Sequence, residues 1–263
     1  MSKPGTVGAE GGGLQLPPPF TAVLRDSVGS TSDEAKALAA DGAPHGTLVW
    51  AKEQTAGRGR LDRRWQSPPG NLYTSCILRP GVAPARAAEL GFVAALAVAE
   101  TARALLPPAV PVELKWPNDV LVDGGKVAGI LLEAQSGPNG MVDWVVLGMG
   151  VNVVAAPTDT PYRAVALQPL GAVADLGMVL ELLYGALAER LDDWRDHGFA
   201  GIRTRWLKLA RGLGQAIEVR QGDGIVGGRF VDLDHDGALV LETAGGRRGI
   251  TTGDVHFAPV MGA

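Results

Sequence analysis

"VELKWPNDVLVDGGKVAGILLEAQSGPNGMVDWVVLGMGVNVV", Val112 to Val154, is the stretch on which the fold turns. Short runs rich in valine and leucine are separated by Pro117-Asn118-Asp119 and by Asp123-Gly124-Gly125. Branched side chains fit a pleated strand, while Asn, Asp and Gly accept the backbone angles of tight turns. The stretch therefore predicts an antiparallel meander.

Working outward, the flanks predict helices packed on that sheet. "GSTSDEAKALAADG", from Gly29, sets Thr31 and Glu34 at capping-box spacing and stops at Gly42, which predicts a short helix displaying Ser30 and Thr31 at its start. "GTLVWAKEQ" predicts a strand ending at Gln54, and "NLYTSCILRP" a second one. Pro84 to Leu106 predicts a single long core helix ended by Pro107-Pro108. Beyond a looser stretch from Ala155 to Gly171, Met178, Leu182, Leu183, Leu187 and Leu191 have helical spacing up to Gly198, and a short helix carries Trp206. The chain after Gly212 alternates like the strands of a small barrel. The expected class is α+β: a disordered tail over 1–20 with its Gly and Pro triplets, a main domain over 21–212, and a small β domain over 213–263.

Composition limits function. The 263 residues carry 24 Lys plus Arg against 28 Asp plus Glu, a net charge of −4, so bulk charge does not hold this chain on nucleic acid. No helix-turn-helix periodicity precedes the first motif. The smoothest apolar run, Leu90 to Ala99, is too short for a membrane span, and the N-terminus has no secretion-signal pattern. The single cysteine, Cys76, excludes an internal disulfide, and a cytoplasmic location is expected.

Several motifs fail on inspection. Asp232, Asp234, Asp236 and Gly237 imitate the start of a calcium loop, but position twelve is Thr243 and the flanks alternate like strands, so a hairpin turn is expected. Gly57-Arg58-Gly59-Arg60-Leu61-Asp62 lacks the third glycine of a dinucleotide fingerprint, and Gly125-Lys126 lacks the rest of a P-loop. The 4 histidines have no metal-ligand spacing, so no protein-bound metal is expected.

Other motifs hold. "QTAGRGRLDRRWQSPPGNLY", Gln54 to Tyr73, concentrates arginines and glycines in an acidic chain, a pattern suited to phosphate or carboxylate because guanidinium forks and close backbone N–H groups match those oxygens. A solvated basic turn is the plainer alternative. Lys115 and Lys126 lie in a mainly apolar hairpin, where an ammonium needs a counter-anion. Lys115 reads as a snorkelling or paired lysine, whereas Lys126, just after Gly124-Gly125, can point at a bound anion. Trp65 is either core or a stacking face, and Asn152 in "GMGVN" is a paired donor and acceptor able to read an adenine edge.

In order along the chain, Ser30-Thr31, Gln54 to Arg60, Trp65, Gly70-Asn71-Leu72-Tyr73, Lys115 to Asp119, Gly125 to Ile130 and Gly148 to Asn152 closely resemble the motifs of the biotin protein ligases, over residues 27 to 155. The resemblance implies a mixed, largely antiparallel sheet with packed helices, like that of class II aminoacyl-tRNA synthetases, and a C-terminal SH3-like β barrel. It implies that biotin and ATP form biotinyl-5′-AMP, with Mg²⁺ arriving on the ATP. Biotin then passes to a lysine of the biotin carboxyl carrier domain of acetyl-CoA carboxylase or a related carboxylase, with no repressor role. By matching positions, Ser30, Thr31, Gln54, Gly57, Arg58 and Lys126 would bind biotin; Arg58, Arg60, Trp65, Asn71, Lys115, Asn118 and Asn152 would bind ATP or the adenylate. Lys126 and Arg60 would stabilise charge, and Asp119 would orient the incoming lysine. Leu61-Asp62 departs from the family's basic residue and glycine, at positions tied to loop closure and to a possible homodimer; Ser32 replaces a common asparagine. A lipoate or octanoate ligase and a non-catalytic nucleic-acid module are the rival readings, the second opposed by the net charge and the 5% aromatic content.

Overall fold

The meander forms, and it builds one half of the main sheet. A computed structural model describes residues 13–137 and 139–257. β4 (Val112–Lys115), β5 (Asp119–Val122), β6 (Gly125–Ser136) and β7 (Val142–Val151) pair in antiparallel succession, with Lys115 opposite Asp119 and Asp119 opposite Gly129. The two predicted strands, β2 (Thr47–Gln54) and β3 (Leu72–Leu78), join them antiparallel. A strand not anticipated, β1 (Thr21–Val28), runs parallel to β2 and completes the 7-stranded order β1-β2-β3-β7-β6-β5-β4. "TAVLRDSV" lies at a solvated sheet edge and carries charges, so the alternation that reveals a half-buried strand is weak in it.

The sheet is covered on both faces, which is why its central strands are almost continuously apolar. On one face α3 (Leu90–Leu105) and α4 (Leu176–His197) pack against Leu72, Cys76, Leu78, Leu147 and Met149. On the other, α1 (Thr31–Ala40) sets Ala35 and Ala39 against Val49, Ile77 and Val146. Near the start of α1 this second face carries Ser75, Gly148 and Gly150 instead of large side chains, and there it opens into a cleft.

Three expectations change. The helix expected over 84–106 is interrupted: α2 (Pro84–Ala88) ends before Glu89, whose N–H bonds three residues back to Arg86 and whose carboxylate accepts from the Trp194 indole. Of the tail expected over 1–20, residues 1–12 lie outside the described residues, while Leu14 and Leu16 pack on the core and Phe20, 6% exposed, sets its ring edge-on to Tyr184 at 4.8 Å. The C-terminal strands, β8 (Ala216–Gln221) to β12 (Asp254–Phe257), form a 5-stranded antiparallel sheet in the order β11-β10-β9-β8-β12, and among the described residues no ladder closes it into a barrel. β12 joins β8 because Gly253 lets the chain approach closely; a Cβ there would lie 2.6 Å from a Val219 methyl.

The acidic run at 232–237 is a hairpin turn as expected. Asp234 Oδ1 accepts from the N–H groups of Asp236 and Ala238 at 2.9 and 2.8 Å, an Asx-type turn between β9 (Gly224–Leu233) and β10 (Leu239–Thr243). The turn also docks the two sheets. Trp116 Nε1 donates to Gly237 O at 3.1 Å, and a Cβ on Gly237 would meet the Phe92 ring at 2.5 Å. Among the described residues no helix is long and apolar enough to cross a membrane.

Candidate functional site

The cleft holds about 650 Å³ between the start of α1, the arginine loop, the central strands and the C-terminal sheet. Its inner end is neutral and already hydrogen-bonded. Ser30 immediately precedes α1, and Thr31 donates to Gln54 Oε1 from its backbone N–H at 2.8 Å and its hydroxyl at 3.1 Å. The same hydroxyl meets Ser75 Oγ at 2.8 Å, and Ser75 meets Ser32 Oγ at 3.1 Å. Gln54 Nε2 donates to Ser67 Oγ at 2.9 Å. The expected capping box is absent because the N-cap position falls on Ser30, which makes Thr31 the first helical residue; Thr31 instead serves Gln54, and Glu34 pairs with Arg25 at 2.7 Å. A wall of short donors and acceptors with fixed directions suits a small planar group such as a urea.

The outer end is cationic. Arg58 lies between Asp33 at 2.7 Å and Glu133 at 3.0 Å, with its Nε buried and unpartnered. Arg60 Nη1 donates to Asn118 Oδ1 at 3.1 Å; burial draws its pKa down, while Asp254 and Asp119 oppose that pull. Lys126 sits 2.7 Å from Asp119. Lys115 lines the cleft half-buried with its ammonium 6.0 Å from the Phe257 ring, and burial lowers its pKa against the opposing charge of Asp119. These cations converge on one volume, which makes it an anion site. Among the described residues no cluster of His, Cys, Asp and Glu is arranged to hold a metal ion.

Two further polar atoms of residues that line the cleft lack partners. Trp65 lies on β6 and β7 where side chains are missing: a Cβ on Gly150 would be 2.6 Å from Trp65 Nε1, and one on Gly129 3.1 Å from the ring. Trp65 Nε1 is buried without an acceptor. Asn152 gives its Nδ2 to Val165 O at 3.1 Å, leaving Oδ1 buried with no donor. A buried polar group left unsatisfied is costly, so both atoms are poised for a ligand that brings the complementary group.

Some expected residues have other tasks. Asn71 does not line the cleft: its Oδ1 accepts from the N–H groups of Val153, Val154 and Ala155, and its Nδ2 donates to Ala155 O, so the amide is consumed in holding the chain after β7. Gly57 is also outside the lining, and its lack of a side chain is what matters, since a Cβ would lie 2.6 Å from both Ser67 Oγ and Trp65 O. Within the loop Leu61, 66% exposed, takes a left-handed backbone (φ 55).

The structure also adds residues that the sequence did not single out. Arg63 pairs across the domain boundary with Asp254, which lines the cleft with His256. Tyr162 enters from the loose stretch before α4. Ser75 sits beside Thr74 in a strand, LYTSCIL, that is buried along its whole length, and no local pattern marks any of these.

Comparison with known proteins agrees with this geometry at both ends of the chain. The sequence model of the biotin/lipoate A/B protein ligase family matches residues 26–152, and that of the biotin protein ligase C-terminal domain matches residues 212–257. The biotin--[acetyl-CoA-carboxylase] ligase of Paracoccus denitrificans is 41% identical over 235 residues, 87% of this chain and 97% of that protein. Its counterpart in Mycobacterium tuberculosis is 36% identical over 236 residues, covering 86% and 85%. Among solved structures, the biotin protein ligase of Aquifex aeolicus in complex with biotin and ATP superposes with a TM-score of 0.76 at 29% identity, over 89% of this chain and 97% of that one. A cleft with a neutral end and a cationic end, a shared fold, two matching family models and 41% identity over 87% of the chain lead to one assignment: this chain belongs to the biotin protein ligases.

Proposed function

We propose that the chain activates biotin with ATP and transfers it to a lysine of a biotin carboxyl carrier domain, that of acetyl-CoA carboxylase or a related carboxylase. The two-ended cleft carries this reading, because biotin is a neutral ureido ring joined to a carboxylate by a short chain. Ser30, Thr31 and Gln54 take the ureido group, and the carboxylate then falls among Arg58, Arg60 and Lys126. A carboxylate oxygen attacks the α-phosphorus of ATP, the bond to the β-phosphate oxygen breaks, and pyrophosphate leaves. Negative charge concentrates on the α-phosphate in that step, so fixed cations around it stabilise the transition state. Adenine stacks on Trp65 and offers its amino group to Asn152 Oδ1. In the second step the carrier lysine pairs with Asp119 as an ammonium, gives that carboxylate a proton and attacks the acyl carbon as the amine; the C–O bond of the mixed anhydride breaks, AMP leaves with the bonding pair, and the remaining proton on the new amide nitrogen passes to the departing phosphate.

Mg²⁺ belongs to the ATP as substrate in this scheme, since the donor set of the cleft is mainly cationic. The walls named here all come from one chain, so the chemistry does not call for a homodimer. The reading places the enzyme with ATP and the carboxylases in the cytoplasm. Its test is biotin-dependent exchange of pyrophosphate into ATP, run in parallel with lipoate. Exchange with biotin is expected; exchange with lipoate alone overturns the substrate.

A further inference from the structure

Lys126 is gripped on three sides. Asp119 lies 2.7 Å from its ammonium, the Trp65 ring centroid 5.3 Å away and the Tyr162 ring centroid 5.1 Å away. The scheme above uses Asp119 and Trp65 and leaves Tyr162 without a task. Its ring is 42% exposed, so burial does not explain its place.

The backbone explains it. Lys126 N–H donates to Arg163 O at 2.8 Å, and Val165 N–H donates to Lys126 O at 3.0 Å, so the segment carrying Tyr162 is sewn in parallel to the backbone of Lys126 itself. Side chains fasten the seam at both ends: Arg163 Nη2 to Asp123 Oδ2 at 2.7 Å, and Asn152 Nδ2 to Val165 O at 3.1 Å. Gly125 makes room for it. A Cβ there would lie 2.4 Å from a Val165 methyl and 3.3 Å from Arg163 Cγ. The glycine beside Lys126 is thus needed for the strap as well as for the turn, and the strap's register puts a second aromatic face on the ammonium.

We propose that Tyr162 is a positioning residue for Lys126, holding the ammonium at the reacting phosphate when Asp119 turns to the carrier lysine. The inference rests on the ligase reading, in which Asp119 serves two cations in succession. While Asp119 is shared, Lys126 loses its ion pair, and two ring faces remain to hold it. A ring face attracts a cation through its quadrupole, more strongly where water is excluded.

The experiment compares the parent, Tyr162→Phe and Tyr162→Leu in single-turnover transfer to a carrier domain and in steady-state adenylation. Tyr162→Leu is expected to slow transfer about tenfold, the equivalent of about 1.4 kcal/mol, with KM for biotin and ATP near the parent's. Tyr162→Phe keeps the ring and should behave as the parent. An unchanged transfer rate in Tyr162→Leu, a loss in Tyr162→Phe as large, or a rise confined to KM for ATP each overturns the proposal; the last would make Tyr162 a wall for the nucleotide. A second readout does not need turnover: after reductive ¹³C-methylation, the Lys126 resonance, assigned with Lys126→Arg, should be displaced by the rings, move toward the free-lysine position in Tyr162→Leu and stay put in Tyr162→Phe. No movement overturns the contact. A parent without biotin-dependent exchange would sink the ligase reading instead, with the resonance still reporting on Tyr162.

Discussion

The two ends of the cleft are prepared for their ligands in opposite ways. At the neutral end, Thr31, Gln54, Ser75 and Ser32 are short side chains on secondary structure, already bonded to one another in the geometry a ligand would use. At the cationic end, Arg58, Arg63 and Lys126 are long side chains already paired with carboxylates: Asp33 and Glu133, Asp254, and Asp119. The first end is preorganised, and a ligand need only replace water. At the second, each phosphate or carboxylate must displace a resident anion, so binding there is an exchange and should weaken as salt rises. The two ends thus offer different kinds of contact, fixed neutral hydrogen bonds at one and exchangeable ion pairs at the other.

Removing Lys126 should separate the two ends most sharply. Lys126→Ala is expected to lower adenylation by about 10²–10³-fold, the scale of losing one charge-stabilising group, while calorimetric biotin binding, carried mainly by the ureido contacts, falls far less. A biotin affinity that falls in step with the rate would show the ends to be coupled. Next in size, Arg60→Gly removes a charge-assisted contact worth about 1.5–3 kcal/mol and should release the acyl-adenylate about ten- to a hundredfold faster. A free mixed anhydride acylates any exposed lysine, so a blot with albumin present should show bystander biotinylation; a weaker but carrier-confined signal would make Arg60 a mere shaper of the loop through Asn118.

At the neutral end, Gln54→Leu leaves the Thr31 N–H without its acceptor and should raise KM for biotin about tenfold, the cost of one unmade hydrogen bond, with kcat little changed. The smallest expected effect is at the domain boundary. Burial pushes the Asp254 carboxyl upward, but Arg63, Arg60 and Lys115 outweigh it and hold its pKa below the usual range. The stability this pairing adds is therefore complete above the unfolded carboxylate pKa of about 3.9 and is lost as pH falls through the lower folded value. Asp254→Asn should lower the unfolding midpoint slightly at pH 7, and the gap to the parent should close as pH falls below about 4; equal midpoints at pH 7 would contradict that assignment.

The meander was legible because its turns and its branched residues agree, and α1, β2, β3 and α4 because their apolar spacing matches what they bury. β1 was hidden by its position at a solvated edge, and the break at Glu89 by helix-forming neighbours that conceal a tertiary bond to Trp194. For the cleft, the residues that a motif could name were named, yet Asn71 and Gly57 show the limit of matching positions. Both occur where the motif puts them and neither touches the cleft, because a motif records what a backbone needs as well as what a ligand needs. Arg63 with Asp254, and Tyr162 with Lys126, are far apart in the chain, and only the folded structure brings them together.

The bond from Trp116 to Gly237, with that glycine pressed on Phe92, bears on how the chain is made. Phe92 and Trp116 leave the ribosome well before the hairpin that covers them. At about 5–20 residues per second, their aromatic faces wait on the order of ten seconds for the cover to arrive. The larger domain thus finishes folding only near the end of synthesis, and a nascent chain stalled before Gly237 presents those rings to whatever chaperone is at hand.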